Sequence, residues 1–132
     1  MIFIDSGPFI ARYLTQDQFH ARAVTGFNKL ARTKVKCFTS NFVLDELFTL
    51  LGRRADYGFA AEKARLIYAS RQLEIIRPEE GTELKAIELL EKYADQKVSF
   101  TDCISFALIK EHKLKQVFSF DAHFSRAGFQ VF

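Results

Sequence analysis

Apolar runs too short for helices punctuate this chain, and between them hydrophobic residues return every three or four positions. Ile2-Phe3-Ile4 is the first such run and reads as a buried strand. Ser6-Gly7-Pro8 turns the chain, with Pro8 suited to a first helical turn, and Phe9, Ile10, Tyr13 and Leu14 continue at helical spacing. Asp17 to Ala31 predicts a second helix with Phe19, Ala23, Phe27 and Leu30 on one stripe. "TKVKCFTS" enters a second strand, and Ser40 or Asn41 caps the helix "FVLDELFTLLGRRAD", whose inner face is Val43, Leu47, Leu50 and Leu51. "YGFAAEKARLIYAS" is a further helix, and "LEIIRP" is a third strand stopped at Pro78. Thr82 to Ala94 predicts a helix with Leu84, Ile87, Leu90 and Tyr93 turned inward. Ser99 to Asp102 opens the next helix with a capping-box-like pattern, and Ile104, Ala107 and Leu108 form its apolar face. "QVFSF" is the fourth strand, and Gly128 turns the chain into a last short strand, Gln130 to Phe132.

Strands that are apolar on both faces and alternate with helices predict an α/β fold in three layers. A mostly parallel sheet of four to five strands lies between helices. At 132 residues the expectation is a single domain, 1–132, with no repeat or linker. Apolar residues make up 48% and charged residues 27%, enough to pack a core and to exclude a disordered class. With 15 Phe and no Trp, aromatic packing falls to Phe, and the Phe stripes read as core rather than as a stacking platform for bases. Cys37 and Cys103 have no metal-type spacing and read as reduced, buried thiols of a cytoplasmic protein. No apolar stretch approaches the ~20 residues of a membrane span, and no signal peptide is seen. The net charge of +3 is compatible with a nucleic-acid partner without diagnosing one.

Chemistry enters at the strand ends. Asp5 follows the first strand and Asp121 the fourth, so parallel strands bring both acids to one edge of the sheet, facing each other. Asp102 lies in the first turn of a helix, where a carboxylate is favoured by free amides and the dipole. Glu46 lies one turn into the helix after "FTSN". Taken singly, Asp102 is a helix cap, Asp121 could cap a short helix, and Glu46 and Asp45 could be solvated acids. Asp5 is hardest to dismiss, because it ends a buried strand. Four clustered carboxylates repel unless a cation offsets the conflict. Hard oxygen donors suit Mg²⁺ or Mn²⁺. Ser6, Ser99, Thr101 and Ser119 add hydroxyls that could orient the acids. His20, His112 and His123 match no metal spacing and read as surface or capping residues, with His123 near enough for a substrate contact.

These segments carry a family resemblance. "IFIDSGPFIA", "FTSNFVLDEL", "SFTDCISFALIKEHKL" and "VFSFDAHFSRAGF" occur in the order, and over nearly the whole length, in which PIN-domain proteins carry their four acids. The compact size is similar to the toxin-type PIN proteins called VapC, of type II toxin-antitoxin systems. The resemblance implies a metal-dependent ribonuclease with catalytic and metal-binding residues Asp5, Glu46, Asp102 and Asp121. It implies one or two Mg²⁺ or Mn²⁺ ions and products with 5′-phosphate and 3′-hydroxyl ends. Its spacing from Ser40 selects Glu46, with Asp45 as the competing choice. It further implies a small antitoxin partner and, in many members, a homodimer. RNA would be drawn by basic side chains near the crevice, for which Arg12, Arg53 and Arg54 are candidates.

Other readings stay open at this point. A receiver-like domain shares strand-end acids and Mg²⁺, but needs a paired acid near its first strand and a Lys after a later one. An acid-cluster phosphatase would hydrolyse small esters and leave RNA intact. An inactive PIN fold would only bind a partner.

Overall fold

The computed structural model describes residues 1–132. The elements run β1 (Ile2–Ile4), α1 (Ser6–Tyr13), α2 (His20–Thr33), β2 (Cys37–Ser40), α3 (Asn41–Arg54), α4 (Tyr57–Ala69), β3 (Leu73–Ile76) and α5 (Glu80–Lys92). A 3₁₀ turn (Ala94–Gln96), α6 (Phe100–Glu111), β4 (Gln116–Phe118) and α7 (Ala122–Arg126) complete the chain.

All four strands pair in parallel, in the order β3-β2-β1-β4. Alternation along β1 divides the core. Phe3 points to one face with Phe38 and Val117, where α5, α6 and α7 supply Ala86, Leu89, Ile104, Phe106 and Phe124. Ile2 and Ile4 point to the other, where Phe9, Leu30, Leu47, Leu51 and Ile67 arrive from α1 to α4. The sheet is therefore covered on both faces, which is why its strands carry unbroken apolar runs. β1 and β2 are the inner strands, and their ends are enclosed at the carboxyl edge.

Several boundaries and faces differ from the sequence expectation. α2 starts at His20 rather than Asp17, because the Asp17 carboxylate accepts the Phe19 amide (2.8 Å) and holds a turn there. The expected fifth strand shrinks to one bridge, Val117 to Val131, beside the β4 edge. On α5 the stripe Leu84, Ile87, Leu90 is exposed, not inward; Thr82, Ala86 and Leu89 are buried instead. The Thr82 hydroxyl donates to Glu111 on α6 (2.9 Å), and Ala86 permits close helix approach, so this pair of contacts sets the helix phase. Leu50 is only half-buried. No helix is long and apolar enough to cross a membrane.

Candidate active site

The sheet register sets the site. Ile4 lies opposite Phe118, and Phe3 opposite Phe38. One level on, Ser40, Asp5 and Ser119 stand side by side across three strands. Asp121 is two residues further, so it does not face Asp5 as expected; Ser119 does.

Each hydroxyl at this edge has a partner. Ser119 Oγ donates to Asp5 Oδ2 (2.9 Å) and accepts the Asp121 amide (3.0 Å). Ser6 Oγ donates to Glu46 Oε2 (3.1 Å), joining the first turn of α1 to the second turn of α3. Ser40 Oγ caps α3 by accepting the Val43 amide, and Ser99 Oγ caps α6 by accepting the Asp102 amide (3.1 Å each). These caps start α3 and α6 at the same edge, which carries Glu46 and Asp102 toward Asp5. The Thr101 hydroxyl bonds none of the acids; its carbonyl accepts from Ser105. Asp45 is exposed, whereas Glu46 is half-buried.

The two innermost acids are electrostatically frustrated. Asp5, 5% exposed, has its pKa raised to about 7, first by burial and then by the Asp102 charge. Glu46 adds to the rise, and the Ser6 amide and Ser119 hydroxyl oppose it. Asp102 is raised to about 6 by burial, then by Asp121 and Glu46, with His123 and Ser99 opposing. Asp5 and Asp102 thus each feel the charge of neighbouring acids as well as burial. Asp5 Oδ1 is buried and accepts no hydrogen bond. A buried anionic oxygen without a donor, among three further carboxylates, is a donor set suited to a hard divalent cation.

His123 joins this cluster, a role its sequence context did not announce. Donor atoms of Asp102, Asp121 and His123 lie within 4.8 Å of one another. Its Nδ1 is 2.9 Å from Asp121 Oδ1 and 3.5 Å from Asp102 Oδ2. It is nevertheless unpaired as a hydrogen-bonding atom, because both carboxylates lie off the ring N–H direction. The signal was the two-residue offset: Asp121 Oδ1 accepts the His123 amide (2.9 Å) as the cap of α7, which turns the imidazole back toward the acids. His20 instead ties α2 to α1 through the Ala11 carbonyl (2.7 Å), and His112 ends α6 in solvent.

The candidate basic residues are not gathered at the acids. Arg12 lies over the Phe27 ring (4.6 Å) and lines a groove of about 480 Å³ between α1, α2 and α4. Arg53 and Arg54 stand at the far end of α3, about 10 Å or more beyond Glu46 along the helix. Cys37 and Cys103 are buried and unpaired, and burial raises both thiols to about 11.

This geometry separates the rival folds. A receiver sheet has order 2-1-3-4-5, which is not the order here. The pattern of the PIN domain matches residues 2–130, and the chain belongs to the PIN-domain family. The 23S rRNA-specific endonuclease VapC20 of Mycobacterium tuberculosis is 34% identical over 133 aligned positions, spanning 98% of this chain and 95% of that protein. The crystal structure of that VapC20, a sarcin-ricin loop cleaving toxin, superposes with a TM-score of 0.86 at 30% identity, covering 98% of this chain and 96% of the other. Two more distant structures share the fold. They are VapBC2 from Rickettsia felis (TM-score 0.71, 15% identity, 100% and 98% covered) and FitAcB from Neisseria gonorrhoeae (0.69, 18%, 100% and 96%).

Proposed function

We propose that this protein is a divalent-metal-dependent endoribonuclease, the toxin of a toxin-antitoxin pair, and that its substrate is structured ribosomal RNA of the kind VapC20 cuts. The reading is supported by the acids Asp5, Glu46, Asp102 and Asp121 at one edge of the sheet, where Asp102, Asp121 and His123 bring ligand atoms within 4.8 Å of one another and burial raises the pKa of Asp5 and Asp102. Such a cluster costs stability unless a cation offsets it.

Asp5 and Asp102 would be the principal ligands, with Glu46 and Asp121 completing the set; the proposed ion is Mg²⁺ or Mn²⁺. When bound, the ion neutralises the carboxylates and supplies Lewis acidity toward water and the scissile phosphate. The chain's own work is positional. Ser119 fixes Asp5 through Oδ2 and leaves Oδ1 free. Ser6 fixes Glu46 against rotation. His123, beside Asp102 and Asp121, tempers their repulsion. A small antitoxin is the proposed protein partner, and the apolar groove lined by Phe9, Tyr13, Phe27, Leu30 and Ile67 is a fitting surface for it.

The test incubates purified ribosomal RNA with the protein in EDTA, Mg²⁺ or Mn²⁺ and maps ends by primer extension. Discrete cuts bearing 5′-phosphates, dependent on metal and absent with Asp5→Asn, are expected. Metal-independent cutting, or equal cutting by Asp5→Asn, would refute the assignment.

A further inference from the structure

A second feature lies on the side of α2 away from the apolar groove. The face of α2 formed by Arg22, Thr25, Gly26 and Lys29 runs beside Phe118, Phe120 and Phe132, and together they line an open trough of about 380 Å³. Spacing of three, four and seven residues puts those four α2 positions on one helical face. Gly26 makes the trough possible: a Cβ there would come within 2.4 Å of the Phe118 ring, so any side chain would push α2 off the sheet edge.

The lining chemistry is one-sided. No acid contributes, and both charged residues are cations placed over aromatic rings. Arg22 lies 5.1 Å from the Phe120 centroid and 5.5 Å from that of Phe19, while Lys29 lies 5.0 Å from Phe132. Phe19 and Phe120 stack at 4.6 Å with planes 20° apart. Neither ring is fully buried, unlike Phe118. The Phe stripes were expected to be core; Phe19 and Phe120 are among the rings that stay only partly buried.

The trough adjoins the site along the chain, although none of the four acids lines it. Phe120 sits between Ser119, which holds Asp5, and Asp121 itself. Its ring approaches Gly7, the neighbour of the Ser6 that holds Glu46. A ligand on Phe120 therefore sits one residue along the chain from Asp121, and the cations Arg22 and Lys29 continue the trough along α2.

We infer that this trough is the track for an unpaired RNA strand entering the site, with a base stacked on the Phe19, Phe120 and Arg22 assembly and backbone phosphates following Arg22 and Lys29. The inference rests on the ribonuclease reading. Aromatic faces and guanidinium planes are what unpaired bases stack on, and aligned cations are what a phosphate chain follows. A protein segment is the weaker fit, because the trough is smaller and more open than the groove across α2 and has fewer apolar residues in its lining.

Binding and cleavage are read separately. Asp5→Asn protein in EDTA is titrated with a fluorescein-labelled unstructured RNA and with the same sequence as a duplex, at several salt concentrations. The unstructured strand is expected to bind more tightly. Arg22→Ala and Lys29→Ala, both exposed positions, should each weaken binding several-fold and lower the salt slope by about one. Phe120→Leu, which keeps apolar bulk, should weaken it roughly 5- to 100-fold. Crosslinks from a 4-thiouridine strand should map to Phe19, Arg22 or Phe120. Unchanged affinity and salt slope in both cation variants overturns the track, whether the trough stands empty or serves a protein. Duplex binding as tight as single-strand binding overturns the stacking. Because no cleavage is measured, these failures leave the nuclease assignment standing; failure of metal-dependent cutting by the parent would remove it independently.

Discussion

The ends of β1 and β4 carry the same residue type at the same edge of one sheet, yet they make different environments. Asp5 ends a central strand and sits one residue past the register pair Ile4–Phe118, so protein encloses it. Asp121 follows an edge strand by three residues, keeps a side chain 39% exposed, and spends one oxygen capping α7. Asp5 starts α1 without a side-chain cap bond, so its carboxylate is free for another role. Position in the sheet therefore decides how much work a strand-end acid can do. A buried acid gives a strong, dry ligand at a cost in stability, and an exposed one gives a weaker ligand at almost none.

The largest expected effect tests the buried side of that contrast. Asp5→Asn should lower metal-dependent RNA cleavage by about 10³-fold or more, read by initial rates. The variant should fold, with a melting temperature at neutral pH equal to or above the parent's, because a neutral amide removes the burial penalty. Asp121→Asn should lose only about 10- to 100-fold, since Asn still caps α7 and water can replace its contact. Equal losses at both sites would break the comparison.

Ser119→Ala comes next, with a loss of about 10-fold. It frees the Asp5 carboxylate to rotate and removes the acceptor of the Asp121 amide. A kcat effect without change in fold, checked by circular dichroism, is expected.

Stability should carry the same signature. The folded-state pKa of Asp5, about 7, and of Asp102, about 6, lie above their ordinary 3.8. Between those values the folded chain holds more protons on these two groups than the unfolded one, so their contribution to stability is full below about pH 4 and is lost as pH rises toward 7. The metal-free protein should melt several degrees lower at pH 7.5 than at pH 5. Saturating Mn²⁺ should restore most of the difference at pH 7.5, and Asp5→Asn should flatten the slope. A pH-independent melting temperature in EDTA would show that the two acids are not under strain.

The smallest effect lies on the exposed side. Asp121→Ala should destabilise the fold by about 1 kcal/mol relative to Asp121→Asn, the difference being the α7 cap, measured by urea titration.

Much of this was legible in the sequence. The strand ends gave Asp5 and Asp121 because short apolar runs can only be strands, and parallel strands share a carboxyl edge. Ser40 and Ser99 marked the helix starts that bring Glu46 and Asp102 inward. What escaped was phase. α5 leaves its more hydrophobic stripe, Leu84, Ile87 and Leu90, exposed, and its contact with α6 through Thr82 and Ala86 sets that choice. The level of Ser119 with Asp5 needed the strand register, which periodicity does not contain. His123 needed the turn of α7, and the stacking of Phe19 on Phe120 needed the packing of α2, brought close by Gly26.

The bond from Ser119 to Asp5 joins residues 114 apart in sequence. β1 is made first, yet β4, one of its two partners, comes after 115 residues. During synthesis the early elements can collapse around Leu47 and Leu51, but the first acid lacks its anchor until the final strand arrives. The chain therefore assembles its charged centre last. A molecule stopped short of β4 is an incomplete sheet with an uncovered edge, rather than a slower version of the finished protein.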